Sequence, residues 1–129
     1  MRRGAILIID DNLANLKLIR VLLAGEGYEV RTAGDADEAL QVLNDYRPGL
    51  ILMDIQLPGI DGLELTRRLK AQPATREIPV IGLTAYAMKG DEERIIAAGC
   101  DGYIPKPIDT RALPSFINGY LKKAKADTD

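Results

Sequence analysis

The chain contains no histidine, and that absence narrows its chemistry at once. It removes the commonest general base near neutral pH and the commonest transition-metal ligand, and it means the chain carries no phosphohistidine of its own. Cysteine is nearly absent as well. The single Cys100 excludes an internal disulfide and suits a reducing compartment. Long apolar runs are missing: the longest near the N-terminus, residues 5–9, is too short for a signal-peptide core or a membrane span and stops at Asp10-Asp11. These features read as a cytoplasmic protein without a membrane partner. Charge of one sign is missing too, since 17 basic residues stand against 19 acidic ones, intermixed, for a net charge of -2. The only basic clusters, Arg2-Arg3 and Lys122-Lys123-Ala124-Lys125, lie near the termini, so nothing forms an electrostatic footprint for nucleic acid. No internal repeat, low-complexity stretch or linker to a second domain interrupts the sequence.

What remains is a chain of 129 residues, 47% hydrophobic, enough for one core without staples. Five short apolar runs, at residues 5–9, 28–32, 50–53, 80–83 and 102–104, alternate with segments of helical spacing. Leu16, Ile19 and Leu23 form the first helical stripe, which ends at Gly25-Glu26-Gly27. Asp35 with Glu38 three residues later resembles a capping box, ahead of Ala36, Ala39, Leu40 and Leu43. A third helix opens at Asp61, with Glu64 three on, and ends by Pro73. A fourth spans about residues 91–98, stopped by Gly99, and a fifth carries Leu113, Phe116, Ile117, Tyr120 and Leu121 on one stripe. Strands one, three and four are apolar on both faces, which predicts a parallel α/β sheet covered by helices on both sides, a doubly wound arrangement.

In such sheets ligands bind beyond the carboxyl ends of the strands. There the sequence places Asp10 and Asp11 after the first strand, Asp54 after the third, Thr84 after the fourth, and Lys106 and Pro107 after the fifth. Three converging carboxylates repel one another and raise each other's pKa unless a cation lies between them. Oxygen ligands without histidine or thiolate favour Mg²⁺ or a similar hard ion. With a lysine and a threonine hydroxyl added, the set suits a phosphoryl group, whose oxygens need charge compensation. Taken singly, each residue has an ordinary explanation. An Asp-Asp pair after a strand caps a helix, Thr84 is a turn hydroxyl, Lys106 a surface lysine, Pro107 a turn former and Asp61 a cap. The joint placement at the ends of four strands changes the balance.

The stretches "IIDDN", "LILMDIQLPGIDG", "IGLTAYA" and "GYIPKPI" resemble the receiver domain of two-component response regulators, in order and at family spacing, over residues 5–123. The resemblance implies the flavodoxin-like strand order 2-1-3-4-5 with five helices, and a receiver unit over residues 1–124 followed by a short tail at 125–129 with no output domain. It implies that Asp54 is the phosphoacceptor. Asp11 and Asp54 would bind Mg²⁺ directly, Gln56 through its backbone carbonyl and Asp10 mostly through water. Lys106 would pair with the phosphoryl oxygens, the Lys106-Pro107 bond would be cis, and Thr84 with Tyr103 would form the switch pair. Gln56 and Tyr86 stand at the positions that modulate dephosphorylation in this family. The implied donor is a histidine kinase or a histidine phosphotransfer protein. The implied output surface is the face of the fourth helix, fifth strand and fifth helix, to which one of Ile95 and Ile96 contributes only core packing. The protein would be a monomer or weak dimer and not an enzyme beyond slow loss of its own phosphoryl group.

Within the family the sequence looks most like single-domain regulators of the cell-cycle type, and also like receivers of hybrid histidine kinases. Two other classes compete. A Mg²⁺-dependent aspartyl-phosphate phosphatase usually keeps an acid two residues beyond its nucleophile, where this chain has Gln56. A flavin-binding flavodoxin-like protein needs a phosphate cradle after the first strand, where Asp10-Asp11 would repel phosphate.

Overall fold

The chain's structure is a computed structural model describing residues 4–57, 61–85, 89–106 and 108–128, with side chains described up to Leu121 apart from Lys89 and Asp91. Strands β1 (Ala5–Ile9), β2 (Glu29–Ala33), β3 (Leu50–Asp54), β4 (Val80–Thr84) and β5 (Gly102–Pro105) form one parallel sheet in the order β2-β1-β3-β4-β5. Helices α1 (Leu13–Gly25), α2 (Ala36–Asp45), α3 (Gly62–Ala71), α4 (Lys89–Ala97) and α5 (Leu113–Thr128) alternate with the strands. This is the five-stranded, five-helix α/β order that the resemblance implied.

The period-2 alternation of each strand sorts its side chains onto two faces. Ile6, Ile8, Leu50, Leu52, Ile81, Leu83 and Ile104 pack against α1 and α5 through Leu16, Ile19, Leu23, Leu113 and Ile117. Leu7, Ile9, Ile51, Met53 and Val80 pack against α2, α3 and α4 through Ala36, Ala39, Leu63, Leu65, Leu69, Ile95 and Ala98. Both faces of β3 and β4 are therefore buried, as their unbroken apolar runs predict. Each fully buried Leu or Ile contributes about 1.5–3 kcal/mol, which makes this double layer the main source of stability.

The helix starts follow the predicted caps. Asp35 Oδ1 accepts the Glu38 N–H at 2.8 Å, while Glu38 reaches back to the Gly34 N–H at 3.2 Å, and Asp61 Oδ1 accepts the Glu64 N–H at 2.8 Å. Several boundaries differ from the sequence reading by one or two residues. β2 starts one residue later, because Tyr28 is still tied to α1 through its N–H to the Leu23 carbonyl. The fourth helix begins at Lys89, two residues earlier than its acidic start suggests. Of the paired isoleucines, Ile95 is buried and Ile96 is exposed.

Candidate functional site

The carboxyl ends of β1, β3, β4 and β5 meet at one rim. β1 ends in Ile9, and the next residue, the ionisable Asp10, is fully buried. Its backbone N–H donates to the Ala33 carbonyl, extending the sheet by one rung, and its Oδ1 accepts the Asn12 N–H at 2.9 Å. Asn12 in turn caps α1 by accepting the Asn15 N–H. Asp11, between them, is exposed.

Asp54 is the last residue of β3 and is only 2% exposed. Its Oδ1 accepts the Gln56 N–H at 3.0 Å and lies 3.2 Å from the Lys106 ammonium, so two donors fix the carboxylate's orientation. Lys106 is set by the neighbouring strand: its own N–H donates to the Thr84 carbonyl at 2.7 Å, directly after the Thr84–Pro105 pair of the β4–β5 ladder. Thr84 is buried at the end of β4. A cleft of about 230 Å³ opens beside it, lined by Ile55, Gln56, Asp61, Leu63, Thr84, Arg94 and Ile95.

Asp10, Asp11 and Asp54 each offer a carboxylate oxygen, and these atoms lie within 4.8 Å of one another. Burial, together with the adjacent Asp54 carboxylate, raises the Asp10 carboxyl above its ordinary value; the Asn12 N–H and Lys106 oppose this only partly. An all-oxygen set of three carboxylates, one of them so destabilised when charged, fits a hard divalent cation such as Mg²⁺ and offers no thiolate or imidazole for a softer metal.

Tyr103 leaves β5 half-buried against the α2–α3–α4 face, and its hydroxyl donates to the Glu92 carboxylate of α4. That bond pushes the Tyr103 phenol up. The candidates Asp10, Asp11, Asp54, Gln56, Thr84 and Lys106 are brought together at the rim, with Tyr103 further back along β5. Tyr86 and Pro107 lie outside the described residues, so the modulating position after Thr84 and the cis bond have no structural counterpart here.

Three contributors were not legible as such. Asn12 secures Asp10, Glu92 anchors Tyr103, and Gly62 lets α3 reach the site. A Cβ on Gly62 would stand 2.3 Å from the Asp54 carbonyl oxygen and 2.7 Å from Ile55 Cα, and the Gly62 N–H donates to the Ile55 carbonyl at 3.0 Å. The sequence marks Gly62 as a turn residue near Asp54, which is the only trace of this close approach.

Residues 6–118 match the model of the response regulator receiver domain. The chain belongs to that family, and it is a phosphoacceptor signalling module of two-component systems. Among curated relatives, the polar-differentiation response regulator DivK of Brucella anthropi is 48% identical over 120 residues, covering 93% of this chain and 98% of that protein. Among solved structures, the receiver domain of a signal transduction histidine kinase from Syntrophus aciditrophicus superposes with a TM-score of 0.85 at 35% identity, covering 93% of this chain and 91% of that one. The receiver domain of sensor histidine kinase PA1611 from Pseudomonas aeruginosa PAO1, solved with a magnesium ion in its active-site cleft, gives 0.84 at 34% identity, covering 92% and 98%. No helix among the described residues is long and apolar enough to cross a membrane.

Proposed function

We propose that Asp54 accepts a phosphoryl group from a phosphohistidine on a partner histidine kinase or phosphotransfer protein, and that the acyl phosphate resets the binding face of the domain. The observation that carries this reading is a carboxylate 2% exposed, held by Lys106 at 3.2 Å and by the Gln56 N–H, with two more carboxylates beside it. Burying such a group is costly unless its charge is used. In the transfer, an Asp54 oxygen bonds to phosphorus as the donor's N–P bond breaks, and the donor imidazole leaves with the bonding pair. Lys106 compensates charge on the phosphoryl oxygens, and the Gln56 N–H with Lys106 keeps the nucleophile aimed. Asp10, Asp11, Asp54 and the Gln56 carbonyl would hold Mg²⁺, which supplies further charge compensation when bound. The magnesium ion in the Pseudomonas receiver supports this assignment.

Thr84 and Tyr103 form the switch pair in this reading, and the surface of α4, β5 and α5 carries the output. Exposed Ile96 and Phe116 on that surface support a protein partner. The receiver unit comprises residues 1–124, acts in the cytoplasm as a monomer or weak dimer, and loses its phosphoryl group slowly, at a rate set by Gln56 and Tyr86. The 48% identity to DivK over 93% of this chain supports a regulator of that cell-cycle type. Incubation with a radiolabelled phosphohistidine phosphotransfer protein tests the proposal. Label should move to the wild type and not to Asp54→Ala; equal labelling of both would refute Asp54 as acceptor.

A further inference from the structure

The Tyr103 side chain leaves β5 on the same sheet face as Gly82 and Thr84 of β4. The ladder pairs Tyr103 with Gly82, and Thr84 follows two residues later. α4 covers this face through Ile95, with Ala98 just beyond its end. The Tyr103 ring packs at the edge of that layer, and its hydroxyl donates to the Glu92 carboxylate, a charge-assisted bond of the stronger kind.

Between Tyr103 and Thr84 the sheet carries only Gly82. A Cβ there would stand 2.9 Å from Ile55 Cδ1 and 3.5 Å from Ile95 Cγ2. The floor at Gly82 is thus lined by the side chains of Ile55 and Ile95. In the arrangement present, Glu92 holds the hydroxyl on the α4 side.

We infer that Glu92 is a positioning residue: by accepting the Tyr103 hydroxyl it holds the ring outward in the unphosphorylated protein and ties α4 to β5. The inference rests on the reading of Thr84 and Tyr103 as the switch. The Glu92 bond stabilises one of two arrangements, so it lowers the share of inward ring by the full strength of that bond. An event that draws the ring inward and breaks the bond frees α4 from β5 and leaves an unpaired carboxylate on the output surface.

The test is the χ1 rotamer distribution of Tyr103, read from three-bond NMR couplings in the unphosphorylated protein. Removing a hydrogen bond to a charged acceptor should raise the inward-to-outward ratio about tenfold in Glu92→Ala and to a similar extent in Tyr103→Phe. The double variant should match the single ones, because both delete the same bond. Glu92→Gln, whose amide oxygen can still accept, should stay near the wild type. Glu92 lies on a helix surface, and far-UV circular dichroism checks that each variant is folded. Unchanged rotamer populations in folded Glu92→Ala, or additive effects in the double variant, would overturn the inference. Failure of wild-type Asp54 to take up a phosphoryl group, read separately by intact mass, would instead sink the functional reading and leave the rotamer result standing.

Discussion

Gly62→Ala adds one methyl group to the first residue of α3, and the structure says what it meets. The new Cβ would lie 2.3 Å from the Asp54 carbonyl oxygen, 2.7 Å from Ile55 Cα and 3.0 Å from the Asp54 carbonyl carbon, all of them backbone atoms. Non-bonded carbons settle at about 3.5–4.0 Å, with oxygen only slightly nearer, so helix or strand must give by roughly 1 Å. Overpacking of this kind costs about 1–3 kcal/mol, and with backbone on both sides the upper part of that range applies. Alanine returns up to about 1 kcal/mol through lower chain entropy, for a net loss of about 2 kcal/mol. With an unfolding entropy of about 2.1 cal/mol/K per residue, that lowers Tm by about 7 °C. Gly119, inside α5, is the control, because a Cβ there meets nothing within 4 Å. Gly119→Ala should gain about 0.5–1 kcal/mol and raise Tm by about 2–4 °C. Thermal unfolding followed by circular dichroism reads both. If the two variants shift Tm in the same direction, the close approach of α3 to the Asp54 carbonyl is not what fixes glycine at position 62.

The raised Asp10 carboxyl sets a pH dependence. Between the ordinary carboxyl value and the raised one, the folded chain holds a proton that the unfolded chain has released, so this group's contribution to stability is present at low pH and lost as pH rises through the raised value. Mg²⁺ should therefore raise Tm at pH 7.5, and the gain should shrink as pH falls through that window, because protons compete for the ligand oxygens. Asp10→Asn should raise the metal-free Tm by a few degrees and abolish most of the Mg²⁺ gain, both measured by the same melting curves. Asp101 Oδ2 accepts the Val80 N–H at 2.8 Å and lies 3.0 Å from the Lys70 ammonium, joining β4 to the turn before β5, so Asp101→Ala should cost about 1–2 kcal/mol in urea unfolding. Tyr86→Ala should shorten the phosphoryl lifetime several-fold if the Tyr86 ring shields the acyl phosphate from water, as decay of the phosphorylated mass peak would report.

The fold was legible where burial is two-sided. The continuous apolar runs of β1, β3 and β4 end in Asp10, Asp54 and Thr84, and strand-end chemistry followed directly from those positions. The helix starts at Asp35 and Asp61 were legible because capping needs an acid or amide at a fixed spacing. β2 was misplaced by one residue because Tyr28 is apolar and buried like a strand residue, yet its backbone closes α1. The strand order came from the family resemblance, as did the expected residue roles and the expected cis bond, since periodicity carries no information about which strands are neighbours. What escaped the sequence were contacts made across the fold. Glu92 looks like any solvated helical acid until α4 is laid against β5, and Gly62 looks like an ordinary turn glycine until its Cβ is built toward the Asp54 carbonyl.

Asp54, the buried carboxylate at the end of β3, is the proposed phosphoacceptor. Intact mass after incubation with acetyl phosphate, with and without Mg²⁺, tests it most directly in the wild type and in Asp54→Ala. One phosphoryl adduct is expected, in the wild type and only with Mg²⁺. An adduct of equal yield in Asp54→Ala, or none in a wild type whose melting curve shows that it binds Mg²⁺, would contradict it.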